Sequence, residues 1–238
     1  VGEKIMIPKI IHYCWFGGGE KPAVAKKCIE SWKKFCPDFE IHEWNEDNCD
    51  YLAIPFMAEA YQAKKYAFAS DVMRLMVLEQ YGGVYFDTDV EVIRDISELL
   101  KDEGFIGFEN DQYVASGLTI AAEAHHPVIR AMIEEYQKLH FIRSDGSINM
   151  VGCPELNTKI MEQFGLVRNG QEQMVSGIHV YPADYFNPMD STTGKLTKTE
   201  NTYSIHRYSM SWIPKKTQIR VKIGRRVRRM LRAMRMGR

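Results

Sequence analysis

The stretch from Ala67 to Asp89 limits the possible folds of this chain more than any other. Phe68, Val72, Leu75, Met76 and Leu78 recur at helical spacing across residues 67–81, and Gly82-Gly83 stops the helix they predict. Val84-Tyr85-Phe86 then forms a short apolar strand that runs into Asp87-Thr88-Asp89, and residues 90–93 resume strand character. A helix, a tight stop, a buried strand and two carboxylates at its exit suit an α/β sheet, where ligands bind beyond the C-terminal ends of parallel strands. The beginning of the chain agrees. Residues 10–16 read as a strand ended by three glycines, Ala25, Cys28, Ile29 and Trp32 mark a helical face within 22–35, and residues 39–44 read as a second strand. Such a strand–helix–strand opening suggests parallel pairing. Later strands are expected at 105–108, 118–121, 180–181 and 202–206, with helices at 127–139 and 154–164 and a turn-rich stretch at 184–194.

With 238 residues, 45% hydrophobic and 26% charged, the chain can bury a full core, and no apolar run approaches the length that spans a bilayer. The first residues are too short and too acidic for a signal peptide, and five cysteines without a Cys-x-x-Cys pair fit a reducing cytoplasm better than a zinc or disulfide framework. The formal charge of zero conceals a division, because residues 215–238 hold 11 basic and no acidic residues, leaving 20 basic against 31 acidic in the rest. A net-charge argument for a nucleic-acid-binding body is thereby ruled out, while the tail stays open to nucleic acid or an anionic membrane. Residues 1–213 are expected to form one domain and 214–238 an appendage.

Two carboxylates one residue apart can hold a hard divalent cation that neutralises a diphosphate, and this is the chemistry offered by Asp87 and Asp89. An isolated Asp-x-Asp triplet is more often a solvated turn. Here it follows a helix carrying Ser70, Asp71 and Arg74, and Asp71 and Arg74 share a helical face that could address sugar hydroxyls and a phosphate. The ordinary alternative for that pair is an intrahelical ion pair.

The whole run from Tyr66 to Val90 resembles the signature of the Asp-x-Asp sugar-binding-region glycosyltransferases. That group includes yeast initiating α-mannosyltransferases, bacterial capsular polysaccharide transferases and, more distantly, the clostridial glucosylating toxins. Residues 10–18 look like the family's first strand and nucleotide loop, and residues 205–212 look like its closing His and Ser-Trp motif. The resemblance implies a GT-A-type, Rossmann-like nucleotide-sugar fold with a mixed central sheet. It places Trp15 against the nucleotide base, Ser70, Asp71 and Arg74 on the ribose and donor sugar, and Tyr85 in support of the donor site. It makes Asp87, Asp89 and His206 the ligands of Mn2+ or Mg2+, and it sets Ser211 and Trp212 over the leaving phosphate, with Met210 departing from the toxin pattern. The catalytic set would be Asp87, Asp89, Arg74 and Trp212.

The activity so implied is metal-dependent transfer of a hexose from a nucleotide sugar to a glycan acceptor in cell-surface or capsular polysaccharide synthesis. A UDP-hexose donor, a lipid-linked acceptor and retention of anomeric configuration are expected from the same resemblance. Retention by front-face displacement needs no dedicated base; an inverting enzyme would need a carboxylate, for which Glu109 and Asp111 are the first candidates. His125 and His126 are expected at the surface, and Glu134-Glu135 on a solvated helix face.

In the basic tail, Ile219, Ile223, Val227, Met230, Leu231 and Met234 recur at helical spacing among arginines and lysines, broken only by Gly224. An amphipathic cationic helix of this kind suits anionic lipid headgroups. The protein is therefore expected in the cytoplasm, peripheral at the inner face of the cell membrane; a nucleic-acid contact of the tail and its docking onto the acidic body are the competing expectations. Two further alternatives are a haloacid-dehalogenase-like phosphatase, whose Asp-x-Asp usually lies near the chain start, and a membrane or nucleic-acid adaptor without catalysis.

Overall fold

Side chains alternate between two apolar clusters along the central strands, so the sheet is covered on both faces. Ile11, Tyr13, Val84, Phe105 and Ala121 enter one cluster, while Cys14, Tyr85, Ile106, Ile120 and Ala122 enter the other. The computed structural model of the chain describes residues 7–209, 216, 217, 219–221, 223–226 and 228.

In chain order the elements are β1 (Ile10–Cys14), α1 (Ala23–Phe35), β2 (Glu40–Trp44), α2 (Pro55–Gln62), α3 (Tyr66–Tyr81), β3 (Gly83–Tyr85) and β4 (Val90–Val92). They continue with β5 (Gly104–Asn110), β6 (Tyr113–Val114), β7 (Ile120–Ala122), α4 (Pro127–Gln137), α5 (Cys153–Gln163), β8 (Gln173–Val175), β9 (Ile178–Tyr181), α6 (Ala183–Phe186) and β10 (Ser204–His206). The main sheet runs β2-β1-β3-β7-β5-β9-β8 with β6 beside β5, and β10 pairs with β4 in a separate ribbon. The first three strands are parallel as their spacing predicts, but β7 enters antiparallel between β3 and β5, which makes the sheet mixed. Helices α2 to α5 cover one face, and α1 with α6 and the β4–β10 ribbon cover the other.

Helix α3 ends where Gly82 takes φ +65° and Gly83 φ +105°, conformations that L side chains avoid. A Cβ on Gly83 would also sit 2.7 Å from the Ile10 carbonyl, so the turn delivers β3 directly against β1 only with glycine there. On the opposite face Trp32 of α1 donates its indole N–H to the Val90 carbonyl at 2.8 Å and anchors the ribbon. Helix α2 lacks a sequence signal because its eight residues make barely two turns.

Two local expectations are corrected. His126 is buried, not at the surface; its Nδ1 accepts from the Val128 amide at 3.2 Å and caps α4, whose first residue is a proline without an N–H. Glu135 is largely covered and bridges Lys159 of α5 and Lys138, while Glu134 alone is solvated. In the basic segment all described positions from 216 to 228 are helical. Arg225 and Arg228 donate to the carbonyls of Ser191 and Thr192 at 2.8 and 2.9 Å. Ser211, Trp212 and the apolar positions 227, 230, 231 and 234 lie outside the described residues.

Candidate functional site

Strands β1 and β3 lie side by side and parallel, so the residues that follow them, Trp15 and Asp87, emerge at one edge of the sheet. A cavity of about 760 Å³ opens there, lined among others by Trp15, Ser70, Asp71, Arg74, Tyr85, Asp87, Asp89 and His206. Its size is that of a site for a drug-sized or nucleotide-sized ligand.

Arg74 organises one wall. Its side chain is 2% exposed, with Nη2 2.8 Å from Asp87 Oδ1 and Nη1 2.9 Å from Asp71 Oδ1. Nη1 also donates to Ser116 Oγ at 3.0 Å, and the guanidinium lies over the Tyr85 ring at 4.9 Å. Two carboxylates share one buried cation, so charge is incompletely matched. Burial pushes the Asp71 carboxyl up to about 6 against the opposing pull of Arg74, and burial likewise raises Asp87. The same two carboxylates outweigh burial at Arg74 and keep it firmly charged.

The opposite wall is built by the ribbon. Pairing of His206 with Val90 brings β10 alongside the residue after Asp89, placing His206 Nε2 3.1 Å from Asp89 Oδ1. The Ser209 amide donates to Asp89 Oδ2 at 2.7 Å. Burial alone would raise Asp89, but His206 and Ser209 together hold it well below the usual carboxylate range. Asp89 in turn overcomes burial to raise His206.

Asp87, Asp89 and His206 offer ligand atoms within 4.8 Å of one another, and the buried His206 Nδ1 has no hydrogen-bond partner. Two carboxylates and an imidazole form a donor set suited to Mn2+ or Mg2+. A cation at these atoms would displace the imidazolium proton, since a metal-bound imidazole is neutral.

Each described residue expected at the site lines this cavity. Trp15 is half-buried at the rim, with its N–H donating to the Gly19 carbonyl at 2.6 Å and Lys21 5.7 Å from its ring centroid. Ser70 faces the cavity, although its hydroxyl donates to the Tyr66 carbonyl at 3.0 Å within the helix. Glu109 and Asp111 do not line it; Glu109 lies behind Tyr208, whose hydroxyl is 3.5 Å from its carboxylate.

Several residues at the site carry no sequence signal. Gly117 packs so closely that a Cβ there would stand 2.6 Å from Asp87 Oδ2. Its loop is held from α5, where Asn157 accepts from the Ser116 amide and Thr158 from the Val114 amide, each at 3.0 Å. Cys153 is a weak acceptor 3.4 Å from Arg74 Nη1, and burial keeps its thiol protonated. Tyr208 has φ +47° and lays its ring 4.2 Å from that of His206.

Comparison with known proteins agrees with this architecture. The glycosyltransferase PaToxG shares the fold, with a TM-score of 0.52 over 66% of this chain and 68% of that one at 22% identity. An uncharacterised glycosyltransferase of Acanthamoeba polyphaga mimivirus is 24% identical over 88% of this chain and 85% of its own length. Inositol phosphoceramide mannosyltransferase 3 of Schizosaccharomyces pombe is 27% identical over 58% of this chain, which spans only 40% of that enzyme. The fold is thus the GT-A-type one that the Asp-x-Asp resemblance implies, and it decides against the dehalogenase-like alternative. Residues 2–142, more than half of the chain, match the capsular polysaccharide synthesis protein family, and the chain belongs to that family.

Proposed function

We propose that this protein transfers a hexose from a nucleotide-sugar donor, a UDP-hexose, to a lipid-linked glycan acceptor during capsular or cell-surface polysaccharide synthesis. The observation that carries this reading is the meeting of Asp71, Arg74 and Asp87 with Asp89 and His206 in one strand-end cavity that has Trp15 at its rim.

Asp87, Asp89 and His206 would hold Mn2+ or Mg2+, which when bound neutralises charge on the diphosphate leaving group. Arg74 fixes Asp71 and Asp87 in position and adds positive charge to the same wall. Asp71, which lines the cavity from α3, would accept hydrogen bonds from donor hydroxyls, and Trp15 would offer an indole face to the base. Ser211 and Trp212 follow Ser209, which already binds Asp89, and are assigned to the leaving phosphate. Neither Glu109 nor Asp111 lines the cavity, which favours retention without a dedicated base.

The tail is assigned to an anionic membrane at the cytoplasmic face. Arg225 and Arg228 seat it on the body, and at about 100° per residue Ile219 and Ile223 fall on the opposite side of the helix. Both isoleucines are more than half exposed and are flanked by exposed Lys216, Arg220 and Arg226. Among the described residues no helix is long and apolar enough to cross a membrane. The name of the yeast relative contains a lipid, which accords with a lipid-linked acceptor.

A thermal-shift panel of UDP- and GDP-sugars with and without Mn2+, followed by measurement of released nucleotide, tests the donor assignment. Metal-dependent stabilisation by UDP-sugars is expected; its absence with every donor would refute the transferase reading and leave the non-catalytic adaptor. Deletion of residues 215–238 should sharply lower sedimentation with anionic liposomes at low salt, and unchanged sedimentation would sink the role of the tail.

A further inference from the structure

Residues 141–150 form a hairpin that meets the cavity at Met150 and exposes three large apolar side chains. Asn149 N donates to the Phe141 carbonyl at 2.7 Å and Arg143 N to the Ser147 carbonyl at 2.8 Å, which leaves Ile142 and Ile148 as the closely spaced pair between them. Directly opposed residues of an antiparallel pair point to the same side, and Met150, two residues on from Ile148, returns to it. These three side chains are 44%, 42% and 52% exposed. Phe141, on the other side, is fully buried against Phe56 and Phe68.

The exposure is not the by-product of a loose loop. Glu59 of α2 accepts from the Ile142 amide at 2.9 Å and pairs with His140 at 2.6 Å, while Arg143 Nη2 donates to Asn149 Oδ1 at 3.0 Å. The body therefore holds these apolar side chains outward beside the cavity, a placement that marks an interaction surface.

We propose that this hairpin is a second membrane contact, inserting Ile142, Ile148 and Met150 into the bilayer interface so that the cavity mouth opens at the lipid surface. A bilayer interface desolvates exposed apolar side chains together without any further protein wall. Its position also complements the tail. Met150 and Tyr208 both line the cavity, and Arg225 lies 5.7 Å from the Tyr208 ring, so an apolar rim and a cationic rim border one opening. An anionic bilayer matches both rims at once. The inference extends the membrane reading of the tail but rests on separate residues and on a different force.

The two forces separate with salt. The full-length protein is sedimented with vesicles of POPC alone, and of POPC with about one-quarter POPG, at about 0.1 and 0.5 M NaCl, since the higher concentration screens the tail. I142S/I148S should lower partitioning about tenfold at the higher salt, on both vesicle types, and I142W/I148W should raise it. Both substitutions lie on exposed positions, and metal-dependent stabilisation by UDP should be unchanged in them. Equal partitioning of wild type and I142S/I148S at high salt overturns the proposal, as does a concentration-dependent dimer that the substitution abolishes, which would make a second copy the occupant. A wild type that binds no vesicle overturns this proposal and the role of the tail together, while the donor assignment is judged by the thermal-shift panel alone.

Discussion

Arg74 and Asp87 are joined by a 2.8 Å charge-assisted hydrogen bond, although one projects from α3 and the other follows β3. The link spans the Gly82-Gly83 turn and makes helix and strand exit a single unit. Asp71, 2.9 Å from the same guanidinium, joins that unit one helical turn earlier. Asp89 stands apart from it and is held instead by His206 and Ser209. The two carboxylates of the triplet are thus oriented by different parts of the chain, which permits their roles to be separated by mutation.

Arg74→Ala should be strongly destabilising because it leaves Asp71 and Asp87 in a buried wall without their shared cation. Removing one member of such a network costs about 3–5 kcal/mol, which lowers the melting temperature by roughly 10 °C in a chain of this size. Arg74→Lys keeps the charge but lacks the planar fork that reaches both carboxylates. It should retain more of the stability while donor turnover falls about a hundredfold, as misplacement of an active-site group by an ångström does. Melting curves and released nucleotide measured on both variants check this; equal loss of turnover and stability in Arg74→Lys would contradict it.

Gly117→Ala isolates Asp87. The new Cβ would stand 2.6 Å from Asp87 Oδ2 and 3.4 Å from Arg74 Nη1, so the carboxylate has to move. Gly117 is not among the glycines with positive φ, and the backbone itself tolerates alanine. A modest stability cost of about 1–3 kcal/mol is expected, with a loss of Mn2+-dependent nucleotide stabilisation out of proportion to it. Wild-type behaviour in that assay would show that Asp87 tolerates the shift.

The contrast between Asp87 and Gly117 also shows what could be read without coordinates. Helix, stop, strand and Asp-x-Asp are consecutive, so residues 66–90 declare themselves through local periodicity and turn chemistry. The pairing of His206 with Asp89 is long-range, and the sequence signals it only through resemblance to a known closing motif. Ser116, Gly117 and Cys153 reach the site from a loop and from the start of α5, and nothing in their own neighbourhoods distinguishes them from ordinary loop residues. His126 did have a signal. It directly precedes a helix-starting proline, which is an N-cap position.

Asp89 and His206 should differ in their effect on metal affinity. Asp89→Asn removes the more acidic carboxylate of the triplet and should weaken Mn2+ binding, measured by isothermal titration, by at least about a hundredfold. His206→Ala should weaken it by about ten- to a hundredfold, comparable to the loss of a residue that orients a ligand. In the wild type, EDTA should abolish the thermal shift produced by UDP-sugars and excess Mn2+ should restore it. If UDP-sugars stabilise the protein equally in EDTA, the three residues do not hold a cation that the donor needs.

The last prediction concerns His12, which lies away from the cavity and makes stability depend on pH. Trp44 Nε1 is a donor only and lies 3.1 Å from His12 Nδ1, so Nδ1 must accept and Nε2 must carry the proton, which it donates to the Gly82 carbonyl at 2.8 Å. A second proton at Nδ1 would face the indole N–H with no acceptor available. Burial, aided by His42, accordingly lowers His12 from 6.5 to about 4, although the bond to Gly82 opposes this. Between those pH values the unfolded chain binds a proton that the folded one refuses, so stability rises with pH across the window and is lost as pH falls from 6.5 toward 4. The full loss is on the order of 3 kcal/mol. His12→Gln can still offer an N–H to Gly82 but does not titrate, so it should be less stable than wild type at neutral pH and should close that gap as the pH falls. Urea unfolding of both proteins across the window measures the difference, and a constant gap from pH 7 to pH 4 would show that His12 protonates as readily in the folded chain as in the unfolded one.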